Sequence, residues 1–267
     1  MGAQASPQFV VKELADSGVV ITGGSSGIGL AAAERFVQAG VPRLVIIGRN
    51  VDRGTAARDR VQAAAPSARV EFVSAECNDP VVAADAIERA AIAVEGIDVL
   101  VNATAATFVP ELLYDIPVAD IPLILAQQAL APLLMTRLAL PMMRARRGGV
   151  IINVASDAAK VPTPGESMIG AAMAAIVTFT RTVAMEAKRD GIRVNALTPS
   201  LVEGTATAER ILREGFSAKL FRKAGSLAHL GVSTPADQAE LIFFLASPQT
   251  ARLTGQAISL NGGISAA

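Results

Sequence analysis

The run Val19–Thr22 is short, β-branched and apolar to its last residue, and it passes directly into the glycine-rich Gly23–Gly29 and a helical pattern over Leu30–Ala39. Similar apolar runs recur at Leu44–Ile47, Val70–Ser74, Ile97–Asn102, Val150–Ala155, Ile192–Leu197 and Ala257–Leu260. Helical patterns separate them at Arg53–Ala65, Val81–Ile92, Ala119–Arg146 and Ile169–Arg189. A strand that is apolar throughout, rather than at alternate positions, must be covered on both faces. Strands of that kind alternating with helices predict a parallel, doubly wound α/β sheet.

No repeat, low-complexity tract or Gly/Ser linker divides the 267 residues, so one domain over residues 1–267 is expected, with a small helical substrate lobe near residues 200–235. The 24 basic and 24 acidic side chains cancel and form no basic run, which argues against a nucleic-acid partner. A single Cys rules out an internal disulfide framework and fits a reducing cytoplasm. The apolar stretches Ile116–Met143 and Met168–Met185 carry Asp120, Gln127, Gln128, Arg137 and Arg181, so neither is a clean membrane span. Lys12, Glu13 and Asp16 do not make an export signal. A cytoplasmic protein without a membrane partner is the expectation.

Thr22–Gly29 lies between a strand and a helix. Glycines there let the backbone turn tightly and approach a pyrophosphate, while free N–H groups at the helix start bind the anion. Gly23, Ser25, Ser26, Gly27, Ile28 and Gly29 are therefore candidate cofactor-binding residues. The second strand ends in Ile47-Gly48-Arg49-Asn50, with Arg49 and no acidic side chain. Arg serves a ribose 2′-phosphate where a carboxylate would serve the free hydroxyls, so NADP(H) is favoured over NAD(H).

Thr22-Gly23-Gly24-Ser25-Ser26-Gly27-Ile28-Gly29 also resembles the Thr-Gly-x-x-x-Gly-Ile-Gly loop of the short-chain dehydrogenase/reductase family. The resemblance extends over almost the whole chain. Ile97–Asn102, Thr136–Met143, Ile152–Ser156, Arg193–Asn195 with Pro199, and Asn261-Gly262-Gly263 are similar to the family's ordered segments. It implies a Rossmann-type fold and adds Asn50, Glu76, Cys77, Asn102, Pro199 and Val202 as cofactor-side positions. It also implies pairing through the long helices, giving a homodimer, a homotetramer or a hetero-oligomer with an active relative.

The resemblance implies a Ser, a Tyr thirteen residues later and a Lys four residues after that. Counting from Ser156 places Ile169 at the Tyr position and Met173 at the Lys position. Gln128 stands where the family's fourth catalytic residue, an Asn, belongs, and Ala103-Thr104-Ala105 and Pro199-Ser200 depart from Asn-Ala-Gly and Pro-Gly. The only Tyr is Tyr114, and no Lys lies between Lys160 and Lys188. The ordinary Tyr/Lys mechanism is therefore unavailable. Ser156 is the candidate catalytic survivor, and Tyr114 a candidate replacement acid. Glu166, Lys160, Asp157 and His229 are weaker ones. Gln128, Ile169 and Met173 are expected to line a substrate pocket. No metal-ligand cluster is expected.

Three readings follow: an NADP(H)-binding oxidoreductase acting on an apolar carbonyl, alcohol or enone; an inactive subunit paired with an active relative; and a non-redox lyase, dehydratase or cyclase.

Overall fold

The computed structural model describes residues 9, 11–213 and 215–267; residues 1–8, the start of the single-domain assignment, lie outside the described residues. Seven strands form one sheet: β1 (Gly18–Thr22), β2 (Arg43–Gly48), β3 (Arg69–Ser74), β4 (Val99–Asn102), β5 (Gly149–Val154), β6 (Ile192–Leu197) and β7 (Ala257–Ile258). All pairs are parallel, in the order β3-β2-β1-β4-β5-β6-β7. The helices are α1 (Gly27–Gln38), α2 (Val51–Ala64), α3 (Pro80–Ala93), α4 (Ile121–Ala145), α5 (Ser167–Ala187), α6 (Ala206–Leu212), α7 (Gly215–Ser226) and α8 (Pro235–Ala246).

The continuous apolar strands have the burial that the sequence requires. Val20 of β1 packs with Val45 and Ile47 beneath α3, α4 and α5. Val19 and Ile21, pointing the other way, pack with Leu44 and Ile46 beneath α1, α2 and α8. Helix starts follow their local chemistry. The Asn50 side chain accepts from Arg53 N, Asp79 caps α3 with Pro80 behind it, and Thr234 and Asp237 form a reciprocal capping box on α8.

Several boundaries differ from the sequence reading. β4 begins at Val99 rather than Ile97, just after Asp98, whose carboxylate accepts from Gly18 N and pairs with Lys12 and Arg146. β5 stops before Ala155, and β7 is only two residues long. α1 starts at Gly27 and α5 at Ser167, both ahead of their apolar patterns. The long apolar stretches are not shortened by their polar residues. Val118–Ala145 and Ser167–Asp190 are long and apolar enough to cross a membrane by length and composition. Here they lie on the sheet, through Met135, Ala139 and Met143 of α4 and Val183, Ala184 and Ala187 of α5. The expected lobe exists as α6 and α7, its base closed by the bridge between Val202 and Ser233.

After β3 at one edge the chain returns to the middle of the sheet as β4 beside β1, so the connections leaving β1 and β4 diverge and open a crevice at their carboxyl ends. A buried polar network holds that rim. Thr22 Oγ1 donates to Asn102 Oδ1 (3.1 Å), and Asn102 Nδ2 donates to Asn153 Oδ1 (2.9 Å) and Thr136 Oγ1 (3.2 Å). Asn153 Nδ2 donates in turn to Thr180 Oγ1 at 2.9 Å. Three strands, α4 and α5 are thus tied together beneath the crevice, which limits their movement relative to one another.

Candidate active site

The loop after β1 can exist only with glycine at two of its positions. Gly23 has φ +69°, and a Cβ there would sit 2.3 Å from the Ala103 carbonyl oxygen. A Cβ on Gly29 would lie 2.5 Å from the Gly23 carbonyl oxygen. The first α1 turn has amide N–H groups without intrahelical acceptors, and the N-cap Ser26 side chain gives them no bond. Those donors border a cleft of about 290 Å³.

The strand order gives the cleft its direction. On the β2–β3 side it is lined by Arg49, Arg53, Glu76, Cys77 and Asn78. Beneath it lie Gly23, Ser25, Ser26, Gly27 and Ile28, with Ala103–Ala106 following β4. On the β5–β6 side come Ser156, Pro199, Ser200 and Val202, with Gln127 and Gln128 from α4, and Glu166, Ile169 and Met173 around the start of α5. The elongated arrangement offers anion-binding amides in the middle, cationic groups at one end and a largely apolar chamber at the other.

The cationic end is partly neutralised. Arg49 Nη1 lies 3.2 Å from Glu76 Oε2, and Glu76 Oε1 is held by the backbone and side-chain nitrogens of Asn78. Cys77 is buried, which pushes its thiol up to about 11 and leaves it inert as a nucleophile. Asn78 Oδ1 accepts from Ala131 N at 3.0 Å, fastening this loop to α4.

At the other end, Ser156 Oγ accepts from Ala158 N at 3.3 Å, which leaves its O–H free to donate into the cleft. Pro132 has no N–H, so the Gln128 carbonyl lacks the donor that a regular helix would give it. Glu166 is half-buried, and desolvation, opposed by a Thr163 hydrogen bond and aided by nearby Asp157, pushes its carboxyl up to about 7. No Tyr or Lys is among the residues lining the cleft.

Most of the candidates read from sequence therefore converge on one cavity, and four do not border it. Gly29 packs behind Gly23, where the two backbones meet too closely for a side chain. Asn50 caps α2, and Asn102 lies beneath the rim in the polar network. Tyr114 sits in a 3₁₀ turn with 82% of its surface exposed, and does not border the cleft. Of the weaker candidates, Lys160 Nζ donates to Ser259 Oγ at 2.7 Å and Asp157 Oδ2 accepts from Ser265 Oγ at 2.6 Å. Both are engaged with the C-terminal segment. His229 is exposed on the lobe.

The sequence reading missed Arg53, whose spacing of four residues from Arg49 was an available signal. It also underweighted Glu166, because burial of a loop carboxylate has no signature in a single sequence.

A family model described as short chain dehydrogenase matches residues 17–215. The chain is 30% identical over 246 residues to a 3-oxoacyl-[acyl-carrier-protein] reductase of Chlamydia pneumoniae, covering 92% of this chain and 96% of the relative. Among solved structures, it superimposes with TM-score 0.86 on an NADPH-bound short chain oxidoreductase of Pseudomonas aeruginosa described as containing an atypical catalytic center. That pair is 28% identical and covers 95% and 98% of the two chains. An L-sorbose reductase of Gluconobacter frateurii, in complex with NADPH and L-sorbose, is 30% identical with TM-score 0.83, covering 93% and 96%.

Proposed function

Since the chain belongs to the short-chain dehydrogenase/reductase family of oxidoreductases, we propose that it is an NADP(H)-dependent reductase of apolar carbonyl compounds with a non-standard active site. The observation that carries this reading is the single cleft in which the glycine loop, two arginines and Ser156 meet. The cradle fits a dinucleotide: glycines whose added Cβ would strike backbone, free amides at the start of a twelve-residue helix, and a cavity running across the carboxyl ends of the strands.

In this reading the Ser25–Ile28 amides would hold the pyrophosphate, and Arg49 and Arg53 would meet the 2′-phosphate, for which Arg49 would have to leave Glu76. The reduced nicotinamide supplies a hydride to a carbonyl carbon. Ser156 Oγ–H donates to the carbonyl oxygen and stabilises the charge developing there, a contact of about 3 kcal/mol at most. Ile169 and Met173, one helical turn apart, form an apolar wall that accepts a hydrocarbon substrate and excludes water. The resemblance makes them the replacements of the family's Tyr and Lys.

Titration of the protein with NADPH and NADH, followed by nucleotide fluorescence, tests the reading. Saturable binding with at least tenfold preference for NADPH is expected. Absence of binding to either would overturn it. The absence of Tyr and Lys from the cleft lining favours a second reading, a dinucleotide-binding subunit without turnover that pairs with an active relative. Its distinguishing result is tight NADPH binding with no carbonyl reduction unless the relative is added.

A further inference from the structure

We propose that Glu166 is the proton donor of this active site, giving its carboxyl proton to the substrate oxygen in place of the missing tyrosine hydroxyl; this rests on the reductase reading above. Three geometric observations support it. Glu166 lines the same cleft as Ser156, Ile169 and Met173. It precedes Ile169 by three residues and Met173 by seven, the spacing that sets side chains along one helical face. Its position is held by a tight turn: Glu166 N donates to Thr163 O at 3.0 Å, Pro164 takes the second place, and Gly165 the third with φ +85°. That is the pattern of a type II turn, and a Cβ on Gly165 would meet the Phe216 ring at 2.6 Å.

Beyond the Thr163 contact, the carboxyl has no structural duty. Glu166 is the N-cap of α5, yet its side chain makes no capping bond, and no ion pair among the described residues includes it. Phe108, Pro110 and Ile211 add apolar surface to the same lining. Asp157 is the acidic neighbour across the turn, and Glu111 is a second, its own backbone N–H donating to Gly165 O at 2.8 Å. Lys160 is turned away to Ser259 and the Ala267 carbonyl, while Arg49 and Arg53 stand at the opposite end of the cleft. Desolvation without a cationic partner keeps a carboxyl protonated near neutrality, where it can act as an acid.

The step balances as follows. A reduced nicotinamide dinucleotide is oxidised as its hydride forms a C–H bond at the carbonyl carbon. The carbonyl π pair moves to oxygen, the Glu166 O–H bond breaks, and a new O–H bond forms on the product alcohol. Water returns a proton to the Glu166 carboxylate. Tyr114, more than four-fifths exposed, is outside this geometry.

The test uses the whole protein and three readouts: infrared titration of the nucleotide-free protein, NADPH affinity, and NADPH-dependent reduction of phenanthrenequinone, an apolar diketone. Glu166→Gln is expected to remove a protonated-carboxyl band that disappears near pH 7 in the unsubstituted protein. It should leave NADPH affinity unchanged and lower kcat about 100-fold. The fall of kcat above about pH 7 should vanish in Glu166→Gln and survive in Glu166→Asp. A Glu166 band that titrates in the ordinary carboxylate range overturns the proposal, as does normal turnover by Glu166→Gln. NADPH binding without turnover in the unsubstituted protein overturns it in favour of the non-catalytic reading. Failure to bind NADPH overturns the reductase reading itself.

Discussion

The two ends of the cleft are made in different ways. At the β1 loop and the β2–β3 end the surface is mostly backbone, amides and charged groups: Gly23, the Ser26–Ile28 segment, Arg49 and Arg53. At the α5 end it is mostly interchangeable side chains: Ser156, Glu166, Ile169 and Met173. In the first set a side chain on Gly23 would strike main chain, 2.3 Å from the Ala103 carbonyl oxygen. Changing the second set alters chemistry while the helix beneath stays packed through Ala172, Ile176 and Val177. A scaffold can therefore keep its binding loop and exchange its acid–base groups.

The largest effect that would break this contrast is expected at Gly23→Ala. The new methyl would lie 2.3 Å from the Ala103 carbonyl oxygen in a positive-φ conformation, so β1 and β4 must separate at the rim. Overpacking of this kind costs about 1–3 kcal/mol, and NADPH binding should be lost with it. Urea unfolding and fluorescence titration would measure both. Unchanged binding would show that the loop is not the phosphate cradle.

A sharper comparison separates charge from backbone within the same end. Arg49→Ala and Arg53→Ala should each weaken NADPH by roughly tenfold, the value of a charge-assisted hydrogen bond, while NADH changes by less than about twofold. Equal losses for both nucleotides would place the arginines elsewhere on the dinucleotide. Because Arg49 is paired with Glu76, its loss also frees a carboxylate near the site, so the Arg49 variant should suffer more than the Arg53 variant.

The same division decided what could be read from the sequence. Apolar strand runs and the glycine loop impose periodicity and residue-type constraints, so the parallel sheet, the helix order and the loop were legible. Ends were less so: the Asp98 side chain belongs to an ion-pair cluster at the start of β4, and β7 pairs through only two residues. Ser156, Gln128, Ile169 and Met173 came from spacing along segments resembling a known family, and the structure brings them to one cleft. Arg53 carried no motif of its own, and Glu166 ranked only among the weaker candidates, because neither the facing of a helix nor the burial of a loop carboxylate is written in a single sequence. Tyr114 drew attention as the only phenol in the chain, yet its 3₁₀ turn exposes it to solvent.

The smallest expected effect concerns stability rather than binding, and it probes the α5 end without any nucleotide. Burial raises the folded-state pKa of Glu166 from an ordinary 4.5 to about 7. Between those values the folded protein holds a proton that the unfolded chain has released. Stability must then fall as pH rises across the window, and stay level below about 4.5 and above about 7 with respect to this group. Glutamine cannot titrate, so the difference between the unsubstituted protein and Glu166→Gln isolates the contribution. The amide dipoles at the start of α5 favour the carboxylate and oppose burial. One side of the carboxyl also faces an open cleft, so the change is expected on the order of 1 kcal/mol. Thermal unfolding of both proteins from pH 4 to pH 8 would show it as a declining difference in Tm. A rising difference would mean that the helix dipole outweighs desolvation and that Glu166 is ionised at neutrality.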